Sequence, residues 1–275
     1  MLAQALHFHK CENLIVRKLS HMNSPRNHIS MNMCNGSLIS NLQIIAPKDS
    51  PNTDGIDISA SSNIFIHHST IQTGDDCIAI NTASSFINIT AVFCGPGHGI
   101  STTLGYIYIY VCLVNPSIGS LGKNGEYATV EEIYVRNCTF KETTNGARIK
   151  TWTGGAGYAR KIRFEDIVVV NSGNPLIINQ HYSSGVKKND NGDAVKISDV
   201  TYRNVKGTTS SENAITLKCD PSVACTDIVL DDISITTENG SITKGLCTNA
   251  QGTCSSCHPL VPCLSHNSND HFIPR

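Results

Sequence analysis

Three stretches decide how this chain reads: Ser50-Pro-Asn-Thr-Asp54-Gly-Ile-Asp57, Gly74-Asp75-Asp76-Cys77 and Gly95-Pro-Gly97-His98-Gly99. From Asp54 to Asp76 and from Asp76 to His98 the step is the same, 22 residues (76 − 54 and 98 − 76). Around them, short segments of alternating apolar and polar residues recur: Asn13-Leu-Ile-Val, Leu38 to Ile45, Asn63-Ile-Phe-Ile, Ile87-Asn-Ile-Thr, Glu132-Ile-Tyr-Val, Lys161-Ile-Arg-Phe, Val195-Lys-Ile-Ser and Asp227-Ile-Val-Leu. Alternation of this kind marks strands with one buried face. A recurrence of roughly twenty to thirty-five residues marks a solenoid. No long 3.6-residue periodicity is present, so the expectation is an all-β chain folded as a parallel β-helix. A β-sandwich also alternates, but its turns come every 8 to 12 residues or so with tight hairpins, and Asn-Gly hairpins between matched strands are scarce here.

One coil per 22 residues turns sequence distance into spatial adjacency. The pattern predicts a carboxylate (Asp54), a carboxylate pair (Asp75, Asp76) and an imidazole (His98) stacked on one face, which folding alone does not require. Neighbouring residues of a regular strand point to opposite faces. Asp75 and Asp76 therefore share a cleft only if the backbone bends, and Gly74 is read as the permissive residue for that bend. Like charges so close raise at least one pKa and leave a carboxylic acid beside a carboxylate, the pair that glycoside hydrolysis uses. Calcium remains an alternative for stacked carboxylates, although imidazole is a poor ligand for it. A serine nucleophile is set aside, because no Gly-x-Ser-x-Gly elbow occurs.

Arg148 and Lys150 stand at i and i+2, on one face of a strand. A structural ion pair would account for them; a carboxylated sugar, gripped by Arg through two hydrogen bonds, accounts for them better and points to a uronic-acid polymer. Tyr182 offers a ring for a sugar face, with simple packing as the plainer reading.

The 275 residues carry 21 Lys+Arg and 22 Asp+Glu, a net charge of −1 with no block of like charge. This argues against nucleic acid or an anionic membrane as partner. Tyr106 to Val114 is apolar but far shorter than the ~20 residues of a spanning helix. Twelve cysteines, many closely spaced, point to an oxidising compartment and disulfides rather than zinc at Cys254-x-x-Cys257. Four sequons, at Asn35, Asn88, Asn137 and Asn239, add weak support for secretion. Residues 1 to 10 lack the pattern of a signal peptide, so the expectation is a chain that starts inside a longer secreted protein.

In order, Asn52-Thr-Asp54, Gly74-Asp75-Asp76, Gly97-His98-Gly99 and Arg148-Ile-Lys150 resemble the four signature motifs of the polygalacturonases, glycoside hydrolase family 28. The likeness to plant members runs from about Ala5 to about Cys263. It implies a right-handed parallel β-helix with an open cleft and inverting hydrolysis of α-1,4-linked polygalacturonan in pectin. By the same resemblance Asp75 is the general acid, Asp54 and Asp76 activate the water, His98 tunes the acid or holds the sugar, Arg148 and Lys150 bind the galacturonate carboxylate and Tyr182 lines the subsite. It also implies a Cys77–Cys94 disulfide and no metal or organic cofactor; a monomer is expected. A single domain is expected over 1–275, short of its N-terminal coils, with a Cys-rich tail at 247–275 and an insertion at 102–117 that interrupts a Gly-His-Gly-Ile-Ser-Ile-Gly-Ser-Leu-Gly run. Another pectic polymer such as rhamnogalacturonan, or a catalytically impaired pectin-binding product, are the competing readings.

Overall fold

The computed structural model describes residues 5–102, 121–182 and 194–266. Two sheets run the length of the molecule, and every strand pair in them is parallel. The first sheet has nine strands in strict chain order, Leu6–His9 at one end and Lys244–Thr248 at the other. The second has twelve and includes long bent strands such as Tyr127–Lys141 and Ala156–Ser172. The fold is a right-handed parallel β-helix.

Its bends have a sequence cause. Asn63, Phe86, Glu132, Lys161, Asp199 and Asp227 have positive φ, and so, five residues later in each coil, do His68, Ala91, Asn137, Asp166, Asn204 and Asp232. These left-handed corners stack on one another and are taken mainly by Asn and Asp, whose short polar side chains tolerate that conformation. Between the corners every second side chain enters the core. Ile64, Ile87, Ile133, Ile162, Val200 and Ile228 form one vertical file; Ile66, Ile89, Val135, Phe164, Tyr202 and Leu230 form the next, all fully buried. Each such burial contributes about 1.5–3 kcal/mol.

Of the Cys-rich stretch expected as a tail, residues 247–266 instead continue the solenoid, and 267–275 lie outside the described residues. Lys244–Thr248 and Ala250–His258 add to the two sheets and Ser265–His266 pairs beyond them. The reason is register: Cys254 stands opposite Leu230 and Cys257 opposite Ile233, and all four point inward. Cys254 and Cys257 are bonded to each other, as are Cys247 and Cys263, Cys219 and Cys225, and Cys77 and Cys94. The Cys77–Cys94 pairing is the one anticipated. Residues 103–117 of the expected insertion, including Tyr106 to Val114, lie outside the described residues. Their flanks are informative: Thr102 stands opposite Ile149 and Leu121 opposite Thr151. The ladder leaves room for one residue where the sequence has eighteen, 103 to 120.

Candidate active site

The site is built by register. Ile56 pairs with Ile78 and Ile78 with Ile100, each 22 residues on, which brings Asp54, Asp76 and His98 into one file two residues upstream. The Gly55 N–H donates to the Asp76 carbonyl (2.9 Å), the Cys77 N–H to the Gly99 carbonyl (2.8 Å) and the His98 N–H to the Asp75 carbonyl (2.9 Å). The chain bends at Gly74 and Asp75 as expected. The bend does not call on positive φ at Gly74; a Cβ there would stand 2.2 Å from the Ser50 carbonyl oxygen, so close approach of two backbones is what requires the glycine. Gly97 needs both freedoms, with φ 126° and only 2.5 Å from a built Cβ to the Asp75 carbonyl oxygen.

Asp75 and His98 face outward, at 24% and 35% side-chain exposure, and are joined by a 2.8 Å contact between His98 Nδ1 and Asp75 Oδ1. The Asp76 N–H donates to Asp75 Oδ1 (2.8 Å) and the Asn52 N–H to Asp75 Oδ2 (3.1 Å). Burial pushes the Asp75 pKa up, but the His98 hydrogen bond and charge and the two backbone donors outweigh it and hold the carboxyl below its ordinary range. Asp76, 2% exposed, receives Arg148 Nη2 at 2.6 Å, with Lys150 Nζ at 3.7 Å and His98 Nδ1 at 3.6 Å. Burial lowers the Lys150 pKa against the pull of Asp76. The raised carboxyls lie one level below. Asp54 is held well above the carboxylate range by burial first, then by the charges of Asp57, Asp75 and Asp76. Like-charge repulsion thus acts where the sequence predicts it, yet the protonated group is Asp54, because it is buried and its side-chain oxygens have no donor among the described residues, whereas Asp75 has several.

Arg148 and Lys150 are buried against Asp76, so a substrate carboxylate would join an existing ion triad. Tyr182 packs edge-on against Trp152 (centroids 5.6 Å) and its ring lies 5.2 Å from Lys150 Nζ. The sequence does not single out Trp152, and it gives no role to Asn52 or Asp57 although both stand in the first of the deciding stretches. Alternation could have found Trp152, two residues beyond Lys150, whereas nothing but the fold reveals that the Asn52 N–H meets Asp75. Ligand atoms of Asp75, Asp76 and His98 lie within 4.8 Å of one another. A cation brought there would face Arg148 and Lys150, which already neutralise Asp76. The same spacing is tighter than the ~6.5–9.5 Å between carboxyls that inverting glycosidases generally show.

The model of the glycosyl hydrolases family 28 matches residues 2–107 and 114–257. The chain belongs to that family. Among its curated relatives, a probable polygalacturonase of Arabidopsis thaliana is 46% identical over 266 residues, 94% of this chain and 55% of the relative. A polygalacturonase of Cryptomeria japonica is 44% identical over 278 residues, 98% and 51%. The chain therefore spans about half the length of the curated relatives it matches. Of solved structures, a polygalacturonase from Erwinia carotovora aligns with TM-score 0.66 at 25% identity, over 89% of this chain and 58% of the other. An endo-xylogalacturonan hydrolase from Aspergillus tubingensis aligns with TM-score 0.72 at 24% identity, over 96% and 67%, a likeness of fold.

Proposed function

We propose that this family 28 member hydrolyses α-1,4-galacturonosyl linkages in polygalacturonan. The observation that carries the reading is a buried carboxylate, Asp76, held by Arg148 and Lys150 directly beside an outward-facing Asp75–His98 pair. One proton shared between His98 Nδ1 and Asp75 passes from Asp75 to the glycosidic oxygen as the C–O bond breaks. A water held by Asp76 and Asp54 attacks the anomeric carbon and gives up its proton to that carboxylate level. Inversion is favoured over a covalent intermediate despite the tight spacing. Asp76 is nearly inaccessible and both its oxygens are engaged by cations, so a water reaches the anomeric carbon where the carboxylate itself does not. The galacturonate carboxylate docks against Arg148 and Lys150, with Tyr182 along the sugar. Four disulfides among the described residues support an extracellular location, where the cell wall polymer is found.

The test is release of reducing ends from polygalacturonic acid at mildly acidic pH, with rhamnogalacturonan as the comparison. Release from the first, lost in Asp75→Asn, is expected; ultraviolet-absorbing unsaturated products would mark a lyase and overturn the reading. The competing reading, an impaired protein, draws on the ladder gap between Thr102 and Leu121 beside Lys150. A variant lacking 103–119 restores a one-residue step; activity in it alone would assign the impairment to that segment.

A further inference from the structure

Beneath the catalytic level lies a second carboxyl. Asp57, 7% exposed, sits on the strand Ile56–Ser59 three residues after Asp54, itself 1% exposed. The two side chains face one another within hydrogen-bonding contact. Asn27 Nδ2 donates to Asp57 Oδ2, but Asp57 Oδ1 and both Asp54 side-chain oxygens are buried with no donor among the described residues. An ionised carboxylate buried without a donor is costly, and two of them facing one another more so. A single proton placed between them satisfies one oxygen of each.

We infer that Asp54 and Asp57 act as one carboxyl pair sharing one proton, in which Asp57 is the positioning residue that holds Asp54 toward the water beside Asp76. The groups around the pair fit this assignment. Asp57 is faced by Asp54, Asp76, Asp75, Arg26 and Asn27; Asp54 is faced by Asp57, Asp75, Asp76 and Lys150. The three acids oppose a second negative charge in the pair. Burial first, then Asp76, pushes Asp57 up to about 8, and Asp54 is raised as well. Since the proton lies with the pair rather than with one residue, one Asp54 oxygen stays basic while Asp57 donates to the other. In catalysis the water's proton then goes to Asp76 or to that free oxygen, and no further reactant is needed.

This role rests on the hydrolase reading, but its primary test does not. Difference infrared spectra of the intact chain at pH 6 are expected to show a protonated-carboxyl C=O band where ordinary carboxyls, with pKa near ~4, are ionised. The band disappears in Asp57→Asn, whose amide donates to Asp54 without a titrating proton, and in Asp54→Asn. Absence of the band in the parent chain, or its persistence in both variants, overturns the pair. On polygalacturonic acid, Asp57→Asn keeps most of kcat with KM unchanged, whereas Asp57→Leu, folded by circular dichroism, loses roughly 100-fold in kcat. Equal loss in Asn and Leu variants would refute positioning through a hydrogen bond. A parent chain that shows the band but releases no reducing ends would instead refute the hydrolase reading and leave the carboxyl pair standing.

Discussion

Replacing Arg148 by Met removes one side of the buried contact that organises the cleft. Arg148 Nη2 and Asp76 Oδ1 are 2.6 Å apart, with side chains only 11% and 3% exposed. At an effective dielectric of about 20 the attraction is about 6 kcal/mol, and Lys150 at 3.7 Å adds about 4–5 kcal/mol. Much of this is offset by the desolvation of three charges. What remains on deleting one partner is the penalty of a buried, half-compensated carboxylate, about 3–5 kcal/mol. For a chain of this length each kcal/mol shifts Tm by roughly 2–4 °C, so a fall of about 6–20 °C is expected. Urea unfolding of the parent, Arg148→Met, Asp76→Asn and the double variant forms the cycle. The double variant is expected to be less destabilised than the sum of the singles by about 2 kcal/mol or more. A single-variant loss under about 1 kcal/mol, or strict additivity, would refute the claim that Asp76 is held by these cations.

Three further outcomes follow from the same geometry. Phe164 is 1% exposed and stacks on Tyr202 with ring centroids 5.1 Å apart, so Phe164→Ala should lower unfolding free energy by about 3–5 kcal/mol, checked by denaturant titration. Cys77→Ser opens a loop of sequence separation 17 next to Asp76 and should remove about 3 kcal/mol of stability, read as a lower Tm. Asp54 and Asp57 are raised, Asp57 to about 8, so the folded state keeps the pair's shared proton, which the unfolded chain releases near pH ~4, and stability falls as pH rises from there toward about 8, by up to about 1.4 kcal/mol per pH unit. Asp75, lowered by His98, acts in the opposite sense, its contribution present above the unfolded value and lost on acidification. Because His28, lowered by burial to about 4, loses stability on acidification, the check is a comparison: between pH 7.5 and 4.5 the parent should gain stability relative to Asp57→Asn, and equal pH dependence of the two would contradict the assignments.

Much of this was legible before any coordinates. The 22-residue step between Asp54, Asp76 and His98 works because a parallel coil converts spacing into stacking. What escaped the sequence depended on tertiary detail. Asp57 is adjacent to Asp54 only because the chain turns into its strand between them. Gly74 is legible as the residue that permits a bend, but spacing cannot show that Ser50 passes within contact distance of it and excludes a side chain there. The pairing of Arg148 and Lys150 with Asp76 was hidden by the long step from His98 to Asn145, which breaks the 22-residue period with the segment after Thr102. The coil at Lys244 to His258 passed for a tail because cysteines, rather than isoleucines, fill its inward positions.

The most direct test of the central claim is proton NMR of polygalacturonic acid digested by this chain, following the anomeric signals of newly formed reducing ends from the first minutes. The account predicts that reducing galacturonate appears and that its first-formed anomer is β, opposite to the α linkage cleaved, because a water beside Asp76 makes the attack. A first-formed α anomer would contradict the assigned roles of Asp75 and Asp76, and no new reducing ends from folded protein would contradict the hydrolase reading itself.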